Sequence, residues 1–220
     1  MSALPQMQED IDPRERGLFL TEDELDRSLA QMIESTSSAH DVWVFAYGSL
    51  IWNPIFPVAE ARRALIHGYH RSLCMNSVRG RGSIDNPGAM LALDAGGACN
   101  GIIMRIGGDV SSELKLLWRR EMMSGAYLPK WLDAKTNSGP IRALCFVANR
   151  TSPHYAGRLS DDEVSRRVAT ASGIWGSNLD YVQRTHESLV HHGIRDKALS
   201  RTLMRDEREG RSETCPDCRT

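Results

Sequence analysis

Apolar positions recur along this chain at two spacings. Leu25, Leu29, Met32 and Ile33 repeat as one helical face behind Thr21-Glu22-Asp23-Glu24, a capping-box pattern. A helix is predicted there, ending near Ser35 before the polar loop Thr36-Ser37-Ser38-Ala39-His40. The spacing changes at Val42. Val42-Trp43-Val44-Phe45-Ala46-Tyr47 is an unbroken apolar run rich in β-branched and aromatic residues, as a strand buried on both faces requires. Gly48-Ser49 breaks it, and Asn53-Pro54 ends the short segment after the break. A second strand is predicted from Tyr69 to Met75. Met90-Leu91-Ala92-Leu93, a turn at Asp94-Ala95-Gly96-Gly97 and Gly101-Ile102-Ile103-Met104-Arg105 read as a hairpin. Ile141-Arg142-Ala143-Leu144-Cys145-Phe146-Val147 is a further strand.

One helix breaks its own pattern. Leu114, Leu117, Trp118 and Glu121 stand at i, i+3, i+4 and i+7, the spacing of a single buried face, yet the fourth member is an acid. Burial raises the pKa of a carboxylate towards neutrality, which suits a general base. The plain alternative is a Glu121 that reaches solvent or pairs with Arg119, Arg120 or another arginine. This helix stops near Gly125, which suits a C-cap. Beyond Pro153 the pattern is helical: a second capping box at Ser160-Asp161-Asp162-Glu163, a helix capped by Asn178 with Tyr181, Val182, Leu189 and Val190 on its apolar face, and a last helix from Ile194 to about Arg205. Strands clustered between residues 42 and 148, one inserted helix and several appended ones argue for an α+β fold.

Composition adds limits. The 220 residues carry a net charge of −1, so no global field points to nucleic acid or an anionic membrane. No apolar run approaches the roughly 20 residues that span a bilayer. The acidic and basic N-terminus lacks a signal core, and a cytoplasmic location is the default. Of five cysteines, Cys74, Cys99 and Cys145 lie in apolar stretches and read as buried thiols. Cys215-Pro216-Asp217-Cys218 is a lone CxxC; with His191-His192 it could form a zinc site, or else it is an exposed tail.

A buried strand ending in Gly48-Ser49 exposes successive backbone N–H groups, which can hold a carboxylate or a developing oxyanion. Most such turns are only turns. Arg79 and Arg81, in the glycine-rich loop Val78-Arg79-Gly80-Arg81-Gly82-Ser83, could grip a substrate carboxylate, or could be solvated loop charges. Ser49 is not in G-x-S-x-G, and the glycines lack a P-loop ending. Without H-x-x-x-H or H-E-x-x-H, no catalytic metal has obvious ligands.

Val44-Phe45-Ala46-Tyr47-Gly48-Ser49-Leu50-Ile51-Trp52-Asn53-Pro54 resembles the opening strand of the ChaC-type γ-glutamylcyclotransferases, most closely their bacterial branch. Leu117-Trp118-Arg119-Arg120-Glu121-Met122 and Gly125-Ala126-Tyr127-Leu128-Pro129 continue the likeness. So do Gly80-Arg81-Gly82, Pro87-Gly88, Met90-Leu91-Ala92-Leu93, His154-Tyr155 and Ala171-Ser172-Gly173. The resemblance covers roughly residues 42–205. It implies a small mixed β-barrel or sheet, with the helix of Glu121 inserted and C-terminal helices packed around it. The expected organisation is an extension with one amphipathic helix over 1–40, the domain over 41–207 and a charged tail over 208–220.

The implied reaction is cleavage of glutathione to 5-oxoproline and cysteinylglycine, without a cofactor. In the family, the Tyr-Gly-Ser-Leu turn holds the γ-glutamyl group and a glutamate accepts a proton. Those roles fall here on Ala46, Tyr47, Gly48, Ser49, Leu50 and Ile51, and on Glu121. Ala46 replaces the family's usual glycine, and its methyl is expected to tighten or shift the pocket. Arg81 and Tyr155 complete the expected pocket, although Tyr155 reads equally well as a packing residue. No metal, nucleic acid or membrane insertion is expected; the oligomeric state is left open. The alternatives are the same chemistry on another γ-glutamyl compound, or a non-enzymatic regulator of a cation transporter.

Overall fold

The computed structural model describes residues 19–35 and 41–213, with backbone alone for 206–213. The expectations for the first 18 residues, for the 36–40 loop and for Cys215 and Cys218 lie outside the described residues. In chain order the elements are α1 (Glu22–Glu34), β1 (Trp43–Ala46), β2 (Val58–Ser77), β3 (Gly88–Ile106), α2 (Val110–Met122), β4 (Tyr127–Thr136), β5 (Gly139–Ala148), α3 (Asp161–Thr170), β6 (Ser172–Gly173), β7 (Gly176–Ser177), α4 (Asn178–His191) and α5 (Lys197–Glu213).

All four residues of β1 are buried because strands flank it on both sides. It runs antiparallel to β3, with Val44 opposite Met104, and parallel to β5, with Val44 against Leu144. That parallel pair closes a five-stranded barrel in the order β1-β3-β2-β4-β5. The fold is therefore α+β, a small mixed barrel with helices packed around it.

β2 and β3 are unusually long, at 20 and 19 residues, and curl through register shifts at Val58/Glu60, His67/Tyr69 and Leu73/Met75. Here the structure corrects the expected hairpin within residues 90–105. Asp94-Ala95-Gly96-Gly97 does not reverse the chain; β3 runs straight through it, and its hairpin partner is β2. Gly96 and Gly97, with φ of 103° and 72°, form the bulge opposite Gly68, with φ of 85°. Left-handed glycines bend this strand because both of its halves hydrogen-bond to one continuous neighbour.

α2 buries Leu114, Leu117 and Trp118, as the spacing predicts. Trp118 meets Phe146 of β5 edge-on with centroids 5.9 Å apart, and its Nε1 donates to Ser28 Oγ of α1 at 2.8 Å. Thr21 caps α1 through a full capping box. α4 corrects a second expectation: its N-cap is Ser177, not Asn178. Asn178 is instead wholly buried and mimics a strand neighbour. The Ala89 N–H donates to its Oδ1 at 2.7 Å, and its Nδ2 donates to the Ala89 carbonyl at 2.9 Å. This pins the first turn of α4 to β3. No helix among the described residues is long and apolar enough to cross a membrane.

Candidate active site

β1 ends at Ala46, and Ser49 to Ile51 form one tight 3-10 turn closed by Ile51 N–H donating to the Gly48 carbonyl at 3.0 Å. Arg71, whose side chain is 5% exposed, steadies the strand end. Its Nε donates to the Tyr47 carbonyl at 2.6 Å, Nη1 to Asp196 at 2.6 Å and Nη2 to the Asn100 carbonyl at 2.6 Å. A trans peptide points its C=O and N–H in opposite directions, so this grip also sets the direction of the Gly48 N–H. The N–H groups of Gly48, Ser49 and Leu50 have no acceptor among the described residues. They form a short row of donors.

α2 delivers Glu121 beside that row. Its neighbour Arg120 joins the two elements: Nη1 donates to the Asn53 carbonyl at 2.6 Å, Nη2 donates to Ser49 Oγ at 3.0 Å, and Nε lies 3.2 Å from Glu121 Oε1. The Glu121 side chain is only 13% exposed. Burial pushes its carboxyl above the ordinary value, and the Arg120 charge offsets part of that rise.

Three buried tyrosines surround the acid. Tyr47 Oη donates to the Phe146 carbonyl at 2.8 Å, and Tyr127 Oη donates to the Leu91 carbonyl at 3.0 Å. Tyr181 Oη accepts the Leu91 N–H at 3.2 Å. Burial raises all three phenols, with the Glu121 charge adding to the effect; Tyr181 is pushed up to about 12. All three are protonated at neutral pH. Together these groups wall a cavity of about 570 Å³, within the range of small-molecule sites.

Of the expected site residues, Tyr47, Gly48, Ser49, Leu50, Arg81 and Glu121 line this cavity. Ala46, Ile51 and Tyr155 lie outside its wall. Ala46 is wholly buried in the barrel opposite Ile102, so its methyl faces core rather than pocket. Ile51 packs in the core behind the turn. Tyr155 donates to Asp94 Oδ2 at 3.0 Å, and Arg150 holds the same carboxylate at 2.7 Å. Arg81 is not a solvated loop charge: it is buried, and its Nη1 binds Asp180 at 2.9 Å and the Ser177 carbonyl at 3.1 Å. That guanidinium lies 5.9 Å from the Tyr181 ring centroid and supports it.

Sequence reasoning assigned no site role to Arg120, Tyr127 or Tyr181. Arg120 showed only as a charge that could pair with Glu121, and Tyr181 only as a member of an apolar face. The loop glycines also find their reason. A Cβ on Gly80 would stand 2.4 Å from the Trp175 ring, and one on Gly82 would stand 2.2 Å from the Gly88 nitrogen. At Gly80 the β6–β7 tip packs on the loop, with Ile174 N–H and Trp175 N–H donating to the carbonyls of Arg79 and Gly80, whereas at Gly82 the loop closes on its own backbone at Ser77, Asn86 and Gly88. Among the described residues, no group of three or more His, Cys, Asp or Glu is placed to hold a metal ion.

The family model described as ChaC-like protein matches residues 42–207. The chain belongs to this family. It is 33% identical over 192 residues to the glutathione-specific γ-glutamylcyclotransferase of Escherichia coli (strain K12), covering 86% of this chain and 83% of the relative. It is 30% identical to the human glutathione-specific γ-glutamylcyclotransferase 1, covering 70% and 72% of the two chains. A crystal structure of a yeast γ-glutamyl cyclotransferase specific to glutathione superposes with a TM-score of 0.70 at 18% identity, covering 76% of this chain and 96% of that one. That structural likeness shows the shared fold.

Proposed function

We propose that this chain is a glutathione-specific γ-glutamylcyclotransferase, releasing 5-oxoproline and cysteinylglycine with Glu121 as the base. The observation that carries the reading is a carboxylate buried at a cavity wall, raised in pKa, beside an unaccepted row of backbone N–H groups. A transporter regulator would leave that costly burial without a purpose.

The substrate α-amine arrives as an ammonium. Glu121 takes one proton, and the freed amine attacks the γ-carbonyl carbon. A C–N bond closes the five-membered lactam, and the attacking nitrogen sheds its second proton as the bond to the cysteinyl nitrogen breaks. Both protons, relayed by Glu121, end on that leaving nitrogen, which departs as the cysteinylglycine ammonium. Atoms balance without water, metal or redox partner. The attack is intramolecular, and effective molarities on the order of 10⁵ M or more are available to well-oriented cyclisations. The cavity therefore contributes mainly by holding the chain folded. The N–H groups of Gly48, Ser49 and Leu50 serve as donors to the substrate's anionic or developing anionic oxygens. A cytoplasmic location is part of the proposal, since Cys74, Cys99 and Cys145 are buried free thiols.

Glu121→Gln preserves shape and removes the base. Turnover should fall by roughly 10²–10⁴-fold or more, the usual contribution of a general base. Both products are followed by mass spectrometry after incubation with glutathione. A Gln variant that keeps most of its kcat would remove Glu121 from the mechanism. A wild type inactive on glutathione but active on another γ-glutamyl compound would reassign the substrate.

A further inference from the structure

The three phenols around Glu121 differ in polarity. Tyr47 and Tyr127 each give their hydrogen to a main-chain carbonyl, of Phe146 and Leu91 respectively, so they offer only lone pairs to anything else. Tyr181 is reversed. Its oxygen accepts the Leu91 N–H, and no acceptor for its own hydrogen lies among the described residues. One residue of β3 thus sorts two phenols, through its C=O and its N–H. The Tyr181 hydroxyl lies against the turn: a Cβ on Gly48 would stand 3.5 Å from it. The glycine leaves that hydroxyl uncovered on the cavity side.

The geometry points to Tyr181 as a catalytic hydrogen-bond donor to the γ-carbonyl oxygen, with Tyr47 and Tyr127 accepting from the α-amine beside Glu121. This rests on the cyclotransferase reading of the site. The assignment to the carbonyl follows from charge and reach. Glu121, Tyr47, Tyr127 and Tyr181 line one cavity, so Tyr181 and the base face the same substrate. The amine must sit at Glu121, and the carbon it attacks must lie about 3–3.5 Å from it. A substrate carboxylate at the same hydroxyl would face the ionised base. The carbonyl oxygen is neutral on arrival and becomes negative only during attack, when a donor fixed by Leu91 and backed by the Arg81 guanidinium stabilises it most.

The experiment compares wild type, Tyr181→Phe and a protein carrying 3,5-difluorotyrosine at position 181, each assayed for 5-oxoproline release. Tyr181→Phe should lose roughly 10²–10³-fold in kcat, as when one oxyanion donor is removed, with KM changed by less than about threefold. The fluorinated phenol keeps the oxygen that accepts Leu91 N–H but ionises at lower pH. Its kcat should fall as pH rises between about 7 and 10, where wild-type Tyr181, held at about 12, does not ionise. A merely structural Tyr181 predicts no new basic limb, because a phenolate accepts the Leu91 N–H equally well. Retained kcat in Tyr181→Phe, or a fluorinated enzyme with the wild-type profile, overturns the inference alone. A wild type that forms no 5-oxoproline from glutathione or from any other γ-glutamyl compound overturns the reaction assignment, and the inference falls with it.

Discussion

Arg120 carries the electrostatics and the geometry of the site in one side chain. It ties α2 to Ser49 and Asn53 while placing a positive charge 3.2 Å from Glu121. As the proposed base, Glu121 works ionised, so the rate should rise as pH climbs through its pKa, which burial raises and Arg120 lowers. Arg120→Gln removes the charge, and the pKa moves further up. The acid limb of kcat/KM should therefore shift to higher pH, with kcat lower by about tenfold from the loosened turn. A pH profile checks this, and an unmoved acid limb would separate Arg120 from the base. At this scale Glu121 was legible in the sequence because an acid broke a helical face. Arg81 was legible as a cavity-wall residue but not in its contacts, since Asp180 approaches from 99 positions away. The Tyr181 hydroxyl left no trace, because periodicity reports only the ring.

Elements matter here through how they are pinned. α4 carries Tyr181, and the Asn178 pair with Ala89 sets its first turn. Asn178→Ala leaves a buried N–H and a buried C=O without partners, at about 1–3 kcal/mol each. A loss of roughly 2–5 kcal/mol is expected in urea or guanidinium unfolding, with reduced kcat as Tyr181 shifts. A variant with unchanged midpoint and rate would show that α4 is seated by its apolar face alone. β1, β5 and α2 were readable because full burial writes continuous or periodic apolar runs. β4 was not: it alternates half-buried and exposed positions, carries Pro129, and gains its identity from pairing with β5 from Tyr127↔Ala148 to Thr136↔Gly139. The Gly96-Gly97 bulge was misread for the same reason. Local sequence shows a bend, and only the partner strand decides whether it reverses the chain.

For the whole molecule, burying the Glu121 carboxyl costs stability, and the cost varies with pH. Folding raises the Glu121 pKa, so the folded state holds this proton more tightly than the unfolded chain. Its contribution to stability then falls as pH rises from the ordinary carboxylate value through the folded pKa, and the penalty persists at neutral pH. Glu163 has the opposite sign. Arg166 and Arg167 depress it to about 2, so its stabilisation is present above the ordinary value and is lost as pH falls towards 2. Glu121→Gln should therefore be more stable than wild type at neutral pH. The gain appears as a higher Tm, by roughly 2–4 °C for each kcal/mol at this chain length. The gap should close near pH 4, where a raised Glu121 is already protonated, while both proteins lose the Glu163 contribution together. Paired thermal melts at neutral and acidic pH read the two effects separately. A Gln variant no more stable than wild type at neutral pH would mean that substrate-free Glu121 carries no burial penalty, and would remove the electrostatic reason for choosing it as the base.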